Sequence, residues 1–242
     1  MQRTWKFVVA AAAMGMWLTV AGCGSGGEDT GETGAEAGSG AGDQSGAVQT
    51  ASYAGGVGAE AAGQALEPAP PTVVIETTLG NITVELDEEH APATVDNFLR
   101  YVGRGFYDQT VFHQVFPGAV ILGGKFTEEL VEKQADPPVS NEAGNGLKNR
   151  RGTIAMFRDY DVINSATCQF FINAKDNPNY DYKPEAEQSL NHEDYGYCVF
   201  GRVTEDSMSV VDRIANVEVH DTADFERIPV ETVVIKSITK IR

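Results

Sequence analysis

Phe112-His-Gln-Val-Phe-Pro-Gly-Ala-Val-Ile-Leu-Gly-Gly124 is an apolar, β-rich run broken once, at Pro117-Gly118. Proline cannot donate to a strand ladder, so the run reads as two short strands joined at a bend. The closing Gly123-Gly124 pair reads as a turn, because it lacks the Lys-Ser/Thr and following helix that a phosphate loop needs. Outward from this run, residues 72–78 and 81–86 are β-branched stretches around a Leu79-Gly80 turn and predict a hairpin. Residues 152–156, 169–173, 197–203 and 232–238 predict four further strands. Pro92 opens a helix whose apolar face is Val95, Phe98, Leu99 and Val102, and a second helix is expected across 207–215 with Met208, Val211 and Ile214 at spacing three. About eight short strands with Gly-rich turns and two helices argue for a closed barrel or a sandwich, and pattern alone does not choose between them.

The N-terminal third is of another kind. Arg3 and Lys6 precede an uncharged stretch from Phe7 to Val20, too short to span a bilayer with ease but suited to the apolar core of a signal peptide over 1–22. Residues 24–71 hold thirteen Gly, eleven Ala, seven acidic residues and no Lys or Arg. That composition predicts a disordered tether, with a root-mean-square span of roughly 35–40 Å for a flexible coil of this length. Residues 72–242 remain for one compact domain, with 16 basic against 28 acidic side chains. Such a surface repels phosphate backbones, which excludes nucleic acid as a partner class. The four histidines show no metal-ligand spacing, and neither a metal nor a cofactor is expected.

The opening run, Asn141-Glu-Ala, Cys168-Gln-Phe-Phe-Ile-Asn173 and Gly196-Tyr-Cys-Val-Phe-Gly201 together resemble the cyclophilin-type peptidyl-prolyl cis-trans isomerases in order and spacing. The run Gly146-Leu-Lys-Asn…Arg151-Gly-Thr looks like the bacterial members. The resemblance covers nearly all of 72–242. It implies a mainly β fold, a closed eight-stranded antiparallel barrel capped by two helices, and proline-containing polypeptides as partners. It places Cys168 and Cys198 at opposite ends of two neighbouring strands, which favours separate buried thiols over a disulfide. Leu18-Thr-Val-Ala-Gly-Cys23 in turn resembles the lipobox of bacterial lipoproteins, with Cys23 the lipidated residue. A lipidated Cys23 would hold a soluble domain to a membrane, giving an exported, membrane-anchored lipoprotein of the bacterial envelope, expected to be a monomer.

Rotation about an X–Pro bond breaks amide resonance, a barrier of about 18–20 kcal/mol, and forms no new bond. What helps is a pocket that grips the proline ring and a donor aimed at the prolyl nitrogen in a water-poor site. The family carries an arginine for this, directly after the Phe-His pair, where this chain has Gln114. A neutral amide is a shorter and weaker donor, so the resemblance implies lowered turnover. His113 is a groove-edge residue in the family and is grouped with Gln114 as the candidate catalytic pair. The candidate substrate-binding residues are Ala119 and Val120 in place of a Phe-Met pair, Leu122 in place of a glutamine, Phe157 in place of a small residue, the retained Gln169 and Phe171, and Tyr180 and Tyr197. Phe112, Val115, Ile121 and Phe170 are expected in the core. Arg158 is the one cation the resemblance places near enough to replace the missing arginine. Two readings follow: a prolyl isomerase that assists folding of exported proteins, weakened at Gln114, or a non-catalytic module that binds proline peptides on the same scaffold.

Overall fold

The structure, a computed structural model, describes residues 69–189 and 191–242. The expected signal peptide, Cys23 and nearly all of the tether lie outside the described residues.

Eight strands close into an antiparallel barrel: β1 (Thr72–Thr77), β2 (Gly80–Leu86), β3 (Thr110–Phe116), β4 (Val120–Thr127), β5 (Thr153–Met156), β6 (Phe170–Asn173), β7 (Val199–Val203) and β10 (Val234–Lys240). Around the barrel they run β1-β10-β3-β4-β6-β5-β7-β2. Two further short strands, β8 (Val219–His220) and β9 (Ile228–Pro229), form a separate two-stranded hairpin that the sequence reading did not foresee.

Side chains alternate across each strand, so one set fills the interior. Val73, Ile75, Ile82, Val84, Phe112, Val115, Ile121, Ile154, Phe170, Ile172, Phe200 and Ile238 are buried together there. Burying each such side chain contributes about 1.5–3 kcal/mol relative to exposure. The glycine pair 123–124 is not a turn: β4 runs straight through it. A Cβ on Gly123 would lie 2.8 Å from Phe112 Cδ1, and one on Gly124, where φ is +90°, would lie 2.8 Å from Phe170 Cε1. The glycines let two interior rings pack against the backbone of β4.

Helix α1 (Pro92–Gly103) packs at one end of the barrel. Asn97 Nδ2 donates to the Thr167 carbonyl at 2.7 Å, just before β6, and Phe98 meets Phe170 and Phe200 edge-on or tilted at 5.7 and 5.2 Å. Its buried face is Thr94, Val95, Asn97, Phe98, Tyr101 and Val102, with Leu99 half-buried against the core, so the expected apolar face is the one that packs, extended by Tyr101. Helix α2 (Met208–Ala215) covers the other end, where Val210 approaches Gly80 and Met208 approaches Gly152.

Ala91 precedes α1 and has no side chain with which to cap it. Glu142 does so from 48 positions away, accepting from Thr94 N at 2.8 Å, Thr94 Oγ1 at 2.7 Å and Ala93 N at 3.2 Å. A carboxylate here satisfies orphan N–H groups and faces the positive end of the helix.

Cys168 and Cys198 are free and buried. Burial pushes their thiols up to about 11 and about 12, so both stay protonated. The strands that follow them, β6 and β7, are not neighbours, because β5 lies between.

Candidate functional site

The outer face of the barrel carries the site. Reading across the strands, Gln114 on β3 pairs with Leu122 on β4, Leu122 with Phe171 on β6, Phe171 with Ala155 on β5, and Ala155 with Val199 on β7. Leu122, Phe171, Ala155 and Val199, with Val120, form an apolar cluster separate from the interior, and Phe116, Leu147, Phe157, Tyr180 and Tyr197 pack on it. Phe171 therefore points outward where its neighbour Phe170 points inward.

A small, open apolar pocket lies on this cluster. Its walls are Phe116, Val120, Leu122, Phe157, Phe171, Tyr180 and Tyr197. Phe171, Tyr180 and Tyr197 meet edge to face at 5.4–5.7 Å between ring centres, and Phe157 stacks on Tyr197 at 6.0 Å. The aromatic side chains present flat, rigid surfaces that match a small saturated ring. Desolvation raises the hydroxyl of Tyr180 and pushes that of Tyr197 up to about 12, so both are neutral donors.

Tyr180 and Tyr197 stand on loops that an asparagine network holds in place. Asn149 Nδ2 donates to the Tyr180 and Tyr197 carbonyls at 2.9 and 3.3 Å, and Asn145 Nδ2 to the Val199 carbonyl at 3.0 Å. Gly196 sits at φ +58°, and a Cβ there would lie 2.4 Å from Tyr182 N, so only glycine fits.

Gln114 is 5% exposed, on the same face of β3 as Phe116, and no hydrogen bond joins its side chain to another described residue. Its amide N–H groups are thus uncommitted at the edge of the pocket. Arg158 is not available to help it. The side chain is 2% exposed, and its guanidinium donates to the carbonyls of Gly196 at 2.8 Å, Asp159 and Tyr160 at 3.0 Å, and His192 at 2.5 Å. It also lies 5.2 Å over the Tyr197 ring. Arg158 ties down the 191–196 loop, and the expectation that it replaces the missing cation fails on this geometry.

Other sequence candidates stand beside the pocket rather than in its wall. Ala119 is in the β3–β4 turn, where its carbonyl accepts from Ala174 N at 2.8 Å and Asn177 Nδ2 at 3.3 Å. Gln169 lines a neighbouring polar cleft with Lys125, Glu132, Arg158 and Thr167, and Phe157 divides that cleft from the apolar pocket. His113 is 3% exposed, under Phe126 at 4.7 Å and Phe225 at 6.5 Å. Burial holds it down to about 3; the nearby Lys125 ammonium acts the same way, while the Val111 backbone and the Gln169 side chain oppose. It is therefore neutral, and neither His113 Nδ1 nor Gln169 Oε1 reaches a partner in hydrogen-bond geometry. Sequence reasoning missed Phe116 as a wall, although its position two residues after Gln114 on one strand carried the signal.

Residues 72–240 match the family model for cyclophilin type peptidyl-prolyl cis-trans isomerase/CLD. The chain is 42% identical over 170 residues to peptidyl-prolyl cis-trans isomerase A of Dickeya dadantii, covering 70% of this chain and 84% of that protein. It is 42% identical over 167 residues to peptidyl-prolyl cis-trans isomerase B of Escherichia coli, covering 69% and 98%. A crystal structure of a cyclophilin-type isomerase from Cryptosporidium parvum superposes with a TM-score of 0.57 at 22% identity, over 71% of this chain and 98% of that one. With its closed barrel, outward aromatic pocket and this degree of identity, the chain belongs to the cyclophilin-type peptidyl-prolyl cis-trans isomerases.

Proposed function

We propose that this enzyme isomerises X–Pro bonds in exported polypeptides at the cell envelope, as a monomer tethered by a lipid on Cys23, and that Gln114 makes it slower than members carrying arginine. The pocket of Phe116, Val120, Leu122, Phe157, Phe171, Tyr180 and Tyr197 beside an uncommitted Gln114 amide carries this reading. The pocket takes the proline ring by apolar burial and fixes it while the acyl side of the bond turns. Exclusion of water by the aromatic walls strengthens any donor that reaches the prolyl nitrogen. An amide donor there supports the deconjugated, pyramidal nitrogen, with less charge than a guanidinium would bring. No nucleophile is needed, and the buried, protonated thiols and the neutral His113 are not called on.

The test is the cis-to-trans rate of a short X–Pro peptide, read by NMR exchange, for wild type and Gln114→Arg. We expect measurable turnover in wild type and a gain of about 10–1000-fold in Gln114→Arg. Absence of turnover in wild type, with peptide binding retained, would favour the alternative of a peptide-binding module, which the neutral residue at 114 motivates.

A further inference from the structure

Among the described residues, Arg158, Lys125 and Arg227 stand beside the site and are differently engaged. Arg158 is consumed by four carbonyls. Lys125 pairs with Glu132 at 2.8 Å, on the far side of Phe157 from the apolar pocket. Arg227 differs from both. Its guanidinium carbon lies 5.2 Å from the centre of the Phe116 ring, and Phe116 is a wall of the proline pocket. Arg227 is exposed, and none of the ion pairs among the described residues involves it.

The backbone that presents Arg227 is held firmly. Its carbonyl accepts from Val115 N at 3.0 Å, which fastens it to β3 one residue from Gln114. Its N–H donates to Asp221 Oδ1 at 2.8 Å, across the loop between β8 and β9. Arg227 also sits at φ 54°, a left-handed conformation that costs a non-glycine residue energy. Non-glycine residues are retained in that region where the surrounding structure over-determines them, and such positions cluster at ligand-binding and active sites.

We propose that Arg227, delivered from the β8–β9 hairpin across the face of Phe116, supplies to the bound X–Pro bond the positive charge that position 114 lacks. The guanidinium would act from the edge of the pocket beside Phe116, as a positive field at the bound X–Pro bond and, by turning its exposed side chain, as a donor to it. Phe116 both lines the pocket and holds the guanidinium by a cation–π contact, so ring and charge are placed as one unit.

The inference rests on the isomerase reading, and one set of variants separates the two. The cis-to-trans rate is measured by NMR exchange for wild type, Arg227→Gln, Arg227→Lys, Gln114→Arg and Gln114→Arg/Arg227→Gln, with thermal midpoints alongside. We expect Arg227→Gln to lower kcat/KM by about tenfold or more, mainly through kcat, with the thermal midpoint nearly unchanged. Arg227→Lys should retain a substantial part of the rate. In the Gln114→Arg background the same Arg227→Gln change should cost less than about threefold, because a guanidinium already stands at 114 and two groups serving one role are not additive. A change under about twofold for Arg227→Gln in wild type, or an equal loss in both backgrounds, would overturn the role of Arg227 and leave the isomerase reading standing. An equal loss for Gln and Lys together with a lowered thermal midpoint would show a hairpin staple instead. Wild type without turnover would overturn both.

Discussion

Arg158 donates its Nε–H to the carbonyl oxygen of Gly196 at 2.8 Å, and that bond, with three others to carbonyls, turns a charged side chain into the fastening of a loop. Burial lowers its pKa, with the nearby Tyr197, Tyr160 and Asp159 opposing, yet a guanidinium stays charged at any working pH. Arg158→Met removes the donors and leaves several carbonyls unpaired, so we expect a loss of at least about 3 kcal/mol in urea unfolding. Arg158→Lys should recover only part of it, since a compact ammonium cannot replace the planar fork. An Arg158→Lys variant as stable as wild type would contradict this role.

Phe170 and Phe171 are adjacent in sequence and opposite in orientation. Phe170→Ala opens a hole in the barrel interior and should cost about 3–5 kcal/mol in stability. Phe171→Ala strips a pocket wall, so KM for an X–Pro peptide should rise by about tenfold or more, with a stability loss clearly smaller than for Phe170→Ala. Chemical denaturation and peptide titration on the pair separate the two effects.

Glu142→Ala should destabilise the domain by about 1–2 kcal/mol through the loss of the cap of α1. Glu142→Gln, which keeps an acceptor but not the charge, should fall between. Equal stability of all three proteins in guanidinium unfolding would show that the cap contributes nothing.

His113 gives the protein a defined acid response. Its pKa falls from 6.5 when unfolded to about 3 when folded. Between those values the unfolded chain binds a proton that the native state does not, so stability contributed by neutral His113 is complete above about pH 6.5 and is lost as pH falls toward 3. His113→Gln should flatten the pH dependence of the urea midpoint between pH 4 and 7. An unchanged slope would show that other groups carry the acid response.

Much of the fold was legible from the sequence because the barrel strands are short β-branched or apolar runs bounded by Gly and Pro, and because the motifs they carry resemble one family. The strand pair 219–220 and 228–229 was not, since two-residue strands in a polar stretch that ends in Ile228-Pro229 give no periodic signal. Gly123 and Gly124 read as a turn because glycine pairs usually are one; only the three-dimensional approach of Phe112 and Phe170 explains them. Phe171, Val120 and Leu122 were singled out by the family resemblance and not by periodicity; in the structure they fall in a cluster separate from the interior residues Phe170 and Ile121. Arg158 was misread since its acceptors at Gly196 and His192 lie 38 and 34 positions on, a distance over which spacing carries no information. Arg227 was invisible for the same reason: its tie to Val115 spans more than a hundred residues.

The seam of the barrel has a consequence for how the molecule is made. The last strand, β10, is inserted between the first, β1, and β3, with Val73 opposite Lys240 and Val111 opposite Val234. Until β10 emerges from synthesis, β1 and β3 each keep an open edge. Closure then joins segments more than 120 positions apart, an ordering that is slow because non-local pairs must form before they stabilise anything. The nascent domain therefore stays open-edged until β10 has been made, and a domain lacking β10 would be left as a sheet with two adhesive borders rather than a smaller barrel.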